Sequence, residues 1–165
     1  MLKYRTFKTR FGWCGIIFNR DGDVKKIVLP DRNRKLVLSR LGSKNAFLAD
    51  CTDINLIRLI KEYFKGKKVK FRVKPDLSGF SRFERKVYLS LQRIPYGRVI
   101  TYSDLARRAE VPGAARAVGN AVAKNPLPII IPCHRVVRKS GALGGFSAIS
   151  GAKLKEKLLQ LEKAR

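Results

Sequence analysis

Ile129-Ile130-Ile131-Pro132-Cys133-His134-Arg135-Val136 constrains this chain more than any other stretch. Three β-branched residues in a row predict a short buried strand, and Pro132 ends its ladder because proline has no N–H to donate. Such a strand delivers Cys133 and His134 to the edge of a core. His134 is the single histidine of the chain, and it sits beside a thiol. A thiol attacks as thiolate, and an imidazole acting directly or through one water is a common way to make one. A buried cysteine beside a structural histidine is the plainer reading of such a pair. The residues around it decide between the two.

Lys and Arg number 37 against 12 acidic residues, a formal charge of +25. That excess points to a polyanionic partner, although a ribosome-associated or membrane-surface protein would share it. A hydrophobic content of 45% over 165 residues allows one or two small domains with cores of their own. No run approaches the roughly 18 apolar residues of a membrane span. The start Met1-Leu2-Lys3-Tyr4-Arg5 lacks the apolar stretch of a signal peptide, so a cytoplasmic location is expected. Cys14, Cys51 and Cys133 form no CxxC pair, and one histidine does not complete the usual zinc spacings. A Cys14–Cys51 disulfide stays open, and a reducing cytosol disfavours it.

The N-terminal part reads as a small β-rich scaffold. Phe11 to Phe18 and Val24 to Leu29 are apolar runs around the hairpin signal Asn19-Arg20-Asp21-Gly22-Asp23. Asp31 is expected to cap a helix ending at Gly42, with Leu36, Val37 and Leu41 inward. A second helix should begin at Thr52 or Asp53, carry Ile57, Ile60 and Phe64, and close at Gly66. Val69 to Val73 predicts one more strand. Turn formers in Lys74-Pro75-Asp76-Leu77-Ser78-Gly79 predict a linker between domains 1–76 and 77–165.

Beyond the linker, Ser81 and Glu84 form a capping box ahead of a helix with Phe83, Val87 and Leu91 on one face. Thr101 and Asp104 repeat the box for a short helix, and Val111-Pro112-Gly113 breaks it. A third helix then spans Ala114 to Ala123, so helix, glycine turn and helix give a helix-turn-helix pattern. A major-groove reader displays long polar side chains. This helix offers Ala115, Ala117, Gly119 and a lone Arg116, a surface that approaches its partner closely, as a shape-reading minor-groove contact requires. Ser140 to Ser147 is a glycine-rich loop, and a basic amphipathic helix from Lys153 to Lys163 closes the chain. The expected fold is α+β: a small N-terminal sheet with helices, then a mostly helical, winged-helix-like domain.

Pro132-Cys133-His134-Arg135-Val136 resembles the signature of the O6-alkylguanine-DNA alkyltransferases, the methylated-DNA–protein-cysteine methyltransferases. The likeness extends over Ile94-Pro95-Tyr96-Gly97-Arg98-Val99, Tyr102, Ala115-Arg116-Ala117-Val118-Gly119 and Asn125-Pro126, in family order, across roughly residues 80 to 163. The resemblance implies a monomer that binds double-stranded DNA through the minor groove and needs no cofactor or metal. An O6-alkylguanine, and more weakly an O4-alkylthymine, is flipped out, and its alkyl group passes irreversibly to Cys133 in one turnover. His134 is then the base acting through water, oriented by Glu162. Tyr102 crowds the phosphate and donates a proton to the base. Arg116 fills the gap in the stack, and Asn125 ties the recognition helix to the active-site strand. Cys133 and Val136 carbonyls and the Ser147 N–H are implied for the pocket, with Phe146 as its aromatic wall.

Several features depart from the family pattern or lack an explanation. Phe146 stands where many members carry tyrosine, and Val122 where some place a longer methionine against the base. No N-terminal zinc site can be assembled from Cys14 and Cys51 alone, and Asn120 occupies a usually small position. Other readings remain distinct: an alkyltransferase-like binding protein lacks the acceptor thiol, a helix-turn-helix regulator shows several base-reading side chains, and a cysteine hydrolase turns over.

Overall fold

The computed structural model describes residues 2–42, 46–48, 54–144 and 151–164. Cys51, Thr52, Asp53, Phe146 and Ser147 lie outside the described residues, and with them the expected start of the second helix. The chain divides into two compact units, Met1–Ser78 and Gly79–Arg165.

In the first unit, β1 (Leu2–Thr9), β2 (Gly12–Phe18) and β3 (Val24–Asp31) form an antiparallel meander, and β4 (Ala46–Leu48) adds in parallel to β1. The β2–β3 hairpin follows from its sequence. Asn19 holds the turn, its side-chain oxygen accepting from the N–H groups of Asp21 and Asp23. Helix α1 (Arg34–Leu41) lies on this sheet, burying Val37 and Leu41 beside Ile17 and Val28. Gly15 permits the approach, since a Cβ there would sit 2.6 Å from Leu41 Cδ1 and 2.8 Å from Val37 Cγ1.

Four expectations for this unit change. Asn33, not Asp31, caps α1, accepting from the Lys35 N–H at 2.8 Å, while Asp31 accepts from the Asn33 N–H and pairs with Arg40. Leu36 faces outward at 47% exposure, because Val37 and Leu41, four residues apart, already define the inward stripe. Helix α2 (Ile54–Phe64) buries Leu56, Ile60, Tyr63 and Phe64, whereas Ile57 is only half-buried. Residues 69–73 are not a strand. Their burial alternates as a strand's would, but only a single bridge, Val24 to Pro75, joins this segment to the sheet. Period-two patterning sets an extended backbone and cannot itself supply a ladder partner.

The second unit starts with α3 (Arg82–Gln92), where the Ser81/Glu84 capping box is complete. Val87, Tyr88 and Leu91 are fully buried, and the Tyr88 hydroxyl donates to the Ala121 carbonyl at 3.1 Å. The short strand β5 (Ile100–Thr101) leads into α4 (Tyr102–Arg108), capped by the Thr101/Asp104 box. A turn through Gly113 joins α4 to α5 (Ala115–Ala123), which buries Val118, Ala121 and Val122. Strand β6 (Val136–Val137) pairs in parallel with β5, Ile100 opposite Val136 and Thr101 opposite Val137. Helix α6 (Gly151–Glu162) buries Leu154, Lys155, Leu158 and Glu162.

The expected strand at Ile129–Ile131 is absent. All three isoleucines are buried as anticipated, but they form a tight turn in which Ile129 adopts φ +77°. A β-branched residue at positive φ is strained, so its surroundings must hold it there. Asn125 does so: its Nδ2 donates to the Ile131 carbonyl at 2.7 Å and its Oδ1 accepts from the Leu127 N–H at 3.0 Å. The turn also closes through Ile131 N–H to the Leu127 carbonyl, 2.8 Å. Cys133–Arg135 then follow as one 3₁₀ turn.

Candidate active site

The parallel pairing of β5 with β6 is what assembles the site. It sets Tyr102, the first residue of α4, beside the segment just past Cys133-His134-Arg135. Cys133 is 1% exposed and His134 is fully buried. Burial pushes the Cys133 thiol up, and a hydrogen bond with the Asn125 side chain and the charge of Lys155 partly offset this. At rest the sulfur is therefore a thiol, and a thiolate has to be generated by a base.

A buried imidazole follows the thiol directly in the chain. His134 Nε2 lies 2.7 Å from Glu162 Oε1. Burial lowers the imidazole pKa against the opposing pull of Glu162, so the ring is neutral. Burial would raise the Glu162 carboxyl, but hydrogen bonds from His134 and Arg135 outweigh it and hold it well below the usual carboxylate range. An ionised carboxylate only accepts, so Nε2 carries the proton and Nδ1 is the basic nitrogen.

Glu162 is gripped from several sides. Arg135 donates through Nε to Oε2 and through Nη2 to Oε1, both at 2.9 Å, and the Gly97 N–H reaches Oε2 at 3.0 Å. Arg135 Nη1 also donates to the Ile94 carbonyl at 2.6 Å, and the guanidinium lies 5.7 Å from the Tyr96 ring centre. This bidentate fork fixes the carboxylate that orients the histidine. The Ile94–Gly97 motif thus meets α6 and the Cys133 segment at one carboxylate.

Lys155 was not expected here. It is fully buried, donates to the Val136 carbonyl at 2.6 Å and also to the Leu143 carbonyl, and sits 5.9 Å from the Tyr102 ring centre. Burial lowers its pKa to about 8 against the pull of Cys133. Its signal lay in the spacing: Lys155, Leu158 and Glu162 recur on one face of α6.

Tyr102 is half-buried. Burial, then the proximity of Cys133, raises its phenol, so it stays protonated near neutral pH. It lines a cleft of about 500 Å³ together with Ala115, Arg116, Gly119, Asn120, Arg138 and Gly144. Gly144, at φ +69°, abuts the phenol so closely that a Cβ would lie 2.8 Å from its oxygen. Asn120, unexplained by sequence, borders this cleft.

The structure therefore brings Cys133, His134, Glu162, Tyr102 and Asn125 together, and gathers Ala115, Arg116 and Gly119 at the cleft. Ala117 is exposed and does not line it among the described residues. Val122 is 3% exposed on the core side of α5, and Val136 is buried with its carbonyl engaged by Lys155. No cluster of three metal-ligating side chains occurs among the described residues.

Comparison with known proteins bears on the same residues. The profile of the 6-O-methylguanine DNA methyltransferase, DNA binding domain, matches residues 82–164. A methylated-DNA–protein-cysteine methyltransferase of Metallosphaera sedula is 36% identical over 162 residues, covering 98% of this chain and 94% of that protein. The crystal structure of Mycobacterium tuberculosis OGT in complex with DNA superimposes with a TM-score of 0.82 at 31% identity, over 98% of this chain and 92% of that one. The O6-methylguanine-DNA methyltransferase of Pyrococcus kodakaraensis gives 0.75 at 31% identity, over 99% and 100%. With half the chain matched by the family profile and nearly all of it by a relative above 30% identity, this protein belongs to the methylated-DNA–protein-cysteine methyltransferases.

Proposed function

We propose that the protein repairs DNA by flipping O6-alkylguanine, and more weakly O4-alkylthymine, out of the duplex and moving the alkyl group onto Cys133 once per molecule. The observation that carries this reading is a buried thiol beside a neutral imidazole locked to a carboxylate, next to a tyrosine that also lines an open cleft. Minor-groove entry by α5 agrees with its small cleft-facing residues, and eversion costs a few kcal/mol of stacking that Arg116 offsets by filling the gap.

The chemistry balances without a cofactor. His134 Nδ1 takes the thiol proton, directly or through one water, and Sγ attacks the alkyl carbon. A sulfur–carbon bond forms as the carbon–O6 bond breaks, and the guanine leaves with the bond's electron pair. The Tyr102 phenol supplies a proton to the departing base and is reprotonated from His134, so the thiol proton ends on guanine. Lys155 favours the anionic sulfur, and Arg135 keeps Glu162 ionised behind the imidazole. Phe146 and Ser147 are proposed for the pocket from the family resemblance. The thioether has no water-labile bond, which makes the step irreversible.

Intact-mass analysis after incubation with methylated duplex tests this. One methyl, about 14 Da, should appear on Cys133 and on no other residue, with no second turnover in excess substrate. Cys133→Ser should bind duplex and gain no mass; methylation of that variant, or repeated turnover, would refute the assignment.

A further inference from the structure

The transfer chemistry leaves one feature of the first unit unused. After α2 the chain reads Lys67-Lys68-Val69-Lys70-Phe71-Arg72-Val73-Lys74, a stretch without ladder partners whose alternating burial matches an extended course. Burial alternates strictly along it. Val69, Phe71 and Val73 are half-buried, with Phe71 6.3 Å from the Tyr63 ring centre, whereas Lys68, Lys70, Arg72 and Lys74 are exposed. Four cations are thereby held on one side of a segment anchored by its other side. The bridge of Val24 to Pro75 fixes its far end.

Neighbouring acids do not neutralise this row. Glu62 is engaged by Lys65 and Lys67, and Asp76 by Lys25. Asp23 pairs with Lys74 at 3.1 Å, yet that lysine side chain remains 80% exposed. Among the described residues, Lys68, Lys70 and Arg72 make no ion pair. Alternate residues of an extended chain advance about 6.6 Å, and every second phosphate of one DNA strand lies about 6.8 Å further along the axis. The two repeats stay in step over four cations, which a membrane surface or an acidic peptide does not require.

We propose that Lys68, Lys70, Arg72 and Lys74 form a second, sequence-independent DNA contact that tracks alternate phosphates of one strand. This rests on the reading of the protein as a DNA-repair protein, and adds a backbone contact outside the α5 cleft. A competing role for such lysines is to blunt an unpaired, strand-like edge against aggregation.

Binding of the full-length protein to unmodified duplex, followed over salt concentration, separates these. The variant K68Q/K70Q/R72Q/K74Q should lower the slope of log affinity against log salt by about 3 to 4, at about 0.9 per phosphate released. The half-sets K68Q/K70Q and R72Q/K74Q should each lower it by about 1.8, and the charge-preserving K68R/K70R/K74R should leave it unchanged. An unaltered slope in the glutamine variants overturns the proposal, and aggregation alongside an unaltered slope assigns the row to edge protection. Strip-dependent binding to phosphatidylserine vesicles with an unaltered DNA slope also overturns it, in favour of a membrane contact. Methyl transfer from a short methylated oligonucleotide is read in parallel. Its failure in the unsubstituted protein would sink the repair reading alone, because the slope is measured without a lesion.

Discussion

Glu162 holds the residues of the site in one electrostatic arrangement, and its removal should be costly. Breaking a buried ion pair from one side leaves the partner charge stranded, so Glu162→Gln is expected to cost about 3–5 kcal/mol in urea unfolding at pH 7. The acid side of the stability profile has a defined sign. Both His134 and Glu162 have folded pKa values below their unfolded ones, so the unfolded chain takes up protons first. The stability these two groups contribute is therefore complete above pH 6.5, falls as pH drops below it through His134, and falls more steeply below 4.5 through Glu162. Glu162→Gln should lose the second limb. Lys155 acts at the other end of the scale: its pKa falls from 10.5 to about 8 on folding, so stability rises between those values, by about 3 kcal/mol in total. Lys155→Met should flatten that rise. It should also move the pH dependence of Cys133 alkylation by iodoacetamide to higher pH, because a cation beside the thiolate is gone; an unmoved profile would show that Lys155 does not act on the sulfur.

Among the elements, α5 shows how one helix serves two surfaces. Val118, Ala121 and Val122 face the core, while Ala115, Arg116, Gly119 and Asn120 border the cleft. Arg116→Ala should slow methyl transfer from duplex about tenfold or more, equivalent to roughly 1.4 kcal/mol in the barrier, and leave reaction with the free alkylated base nearly untouched. Only the duplex has a gap to fill, and equal losses on both substrates would remove Arg116 from that role. The capping boxes at Ser81/Glu84 and Thr101/Asp104 were legible because a cap is local: donor and acceptor lie three residues apart in any context. The Ile129–Ile131 turn was not. Three isoleucines favour a strand, and the Asn125 side chain, reaching six residues along the chain to the Ile131 carbonyl, helps hold Ile129 in its strained turn.

For the whole molecule, a charge of +25 spread over both units makes the phosphate backbone a large part of any DNA affinity. Binding to unmodified duplex should fall by about a thousandfold or more between 50 and 200 mM salt, and should depend little on sequence; a flat salt profile would contradict it. By itself the sequence determined the cysteine–histidine pair, the capped helices of the second unit, the β2–β3 hairpin and the small-residue face of α5, all of which are written in neighbouring residues or short periods. The tertiary structure alone decided that Arg135 and Lys155 are buried, that β5 meets β6, and that Tyr102, Glu162 and Cys133 converge. These depend on contacts between residues 12 to 65 positions apart, whose partners a local pattern does not name; burial there turns ordinary surface cations into fixed charges, Arg135 on Glu162 and Lys155 beside the sulfur.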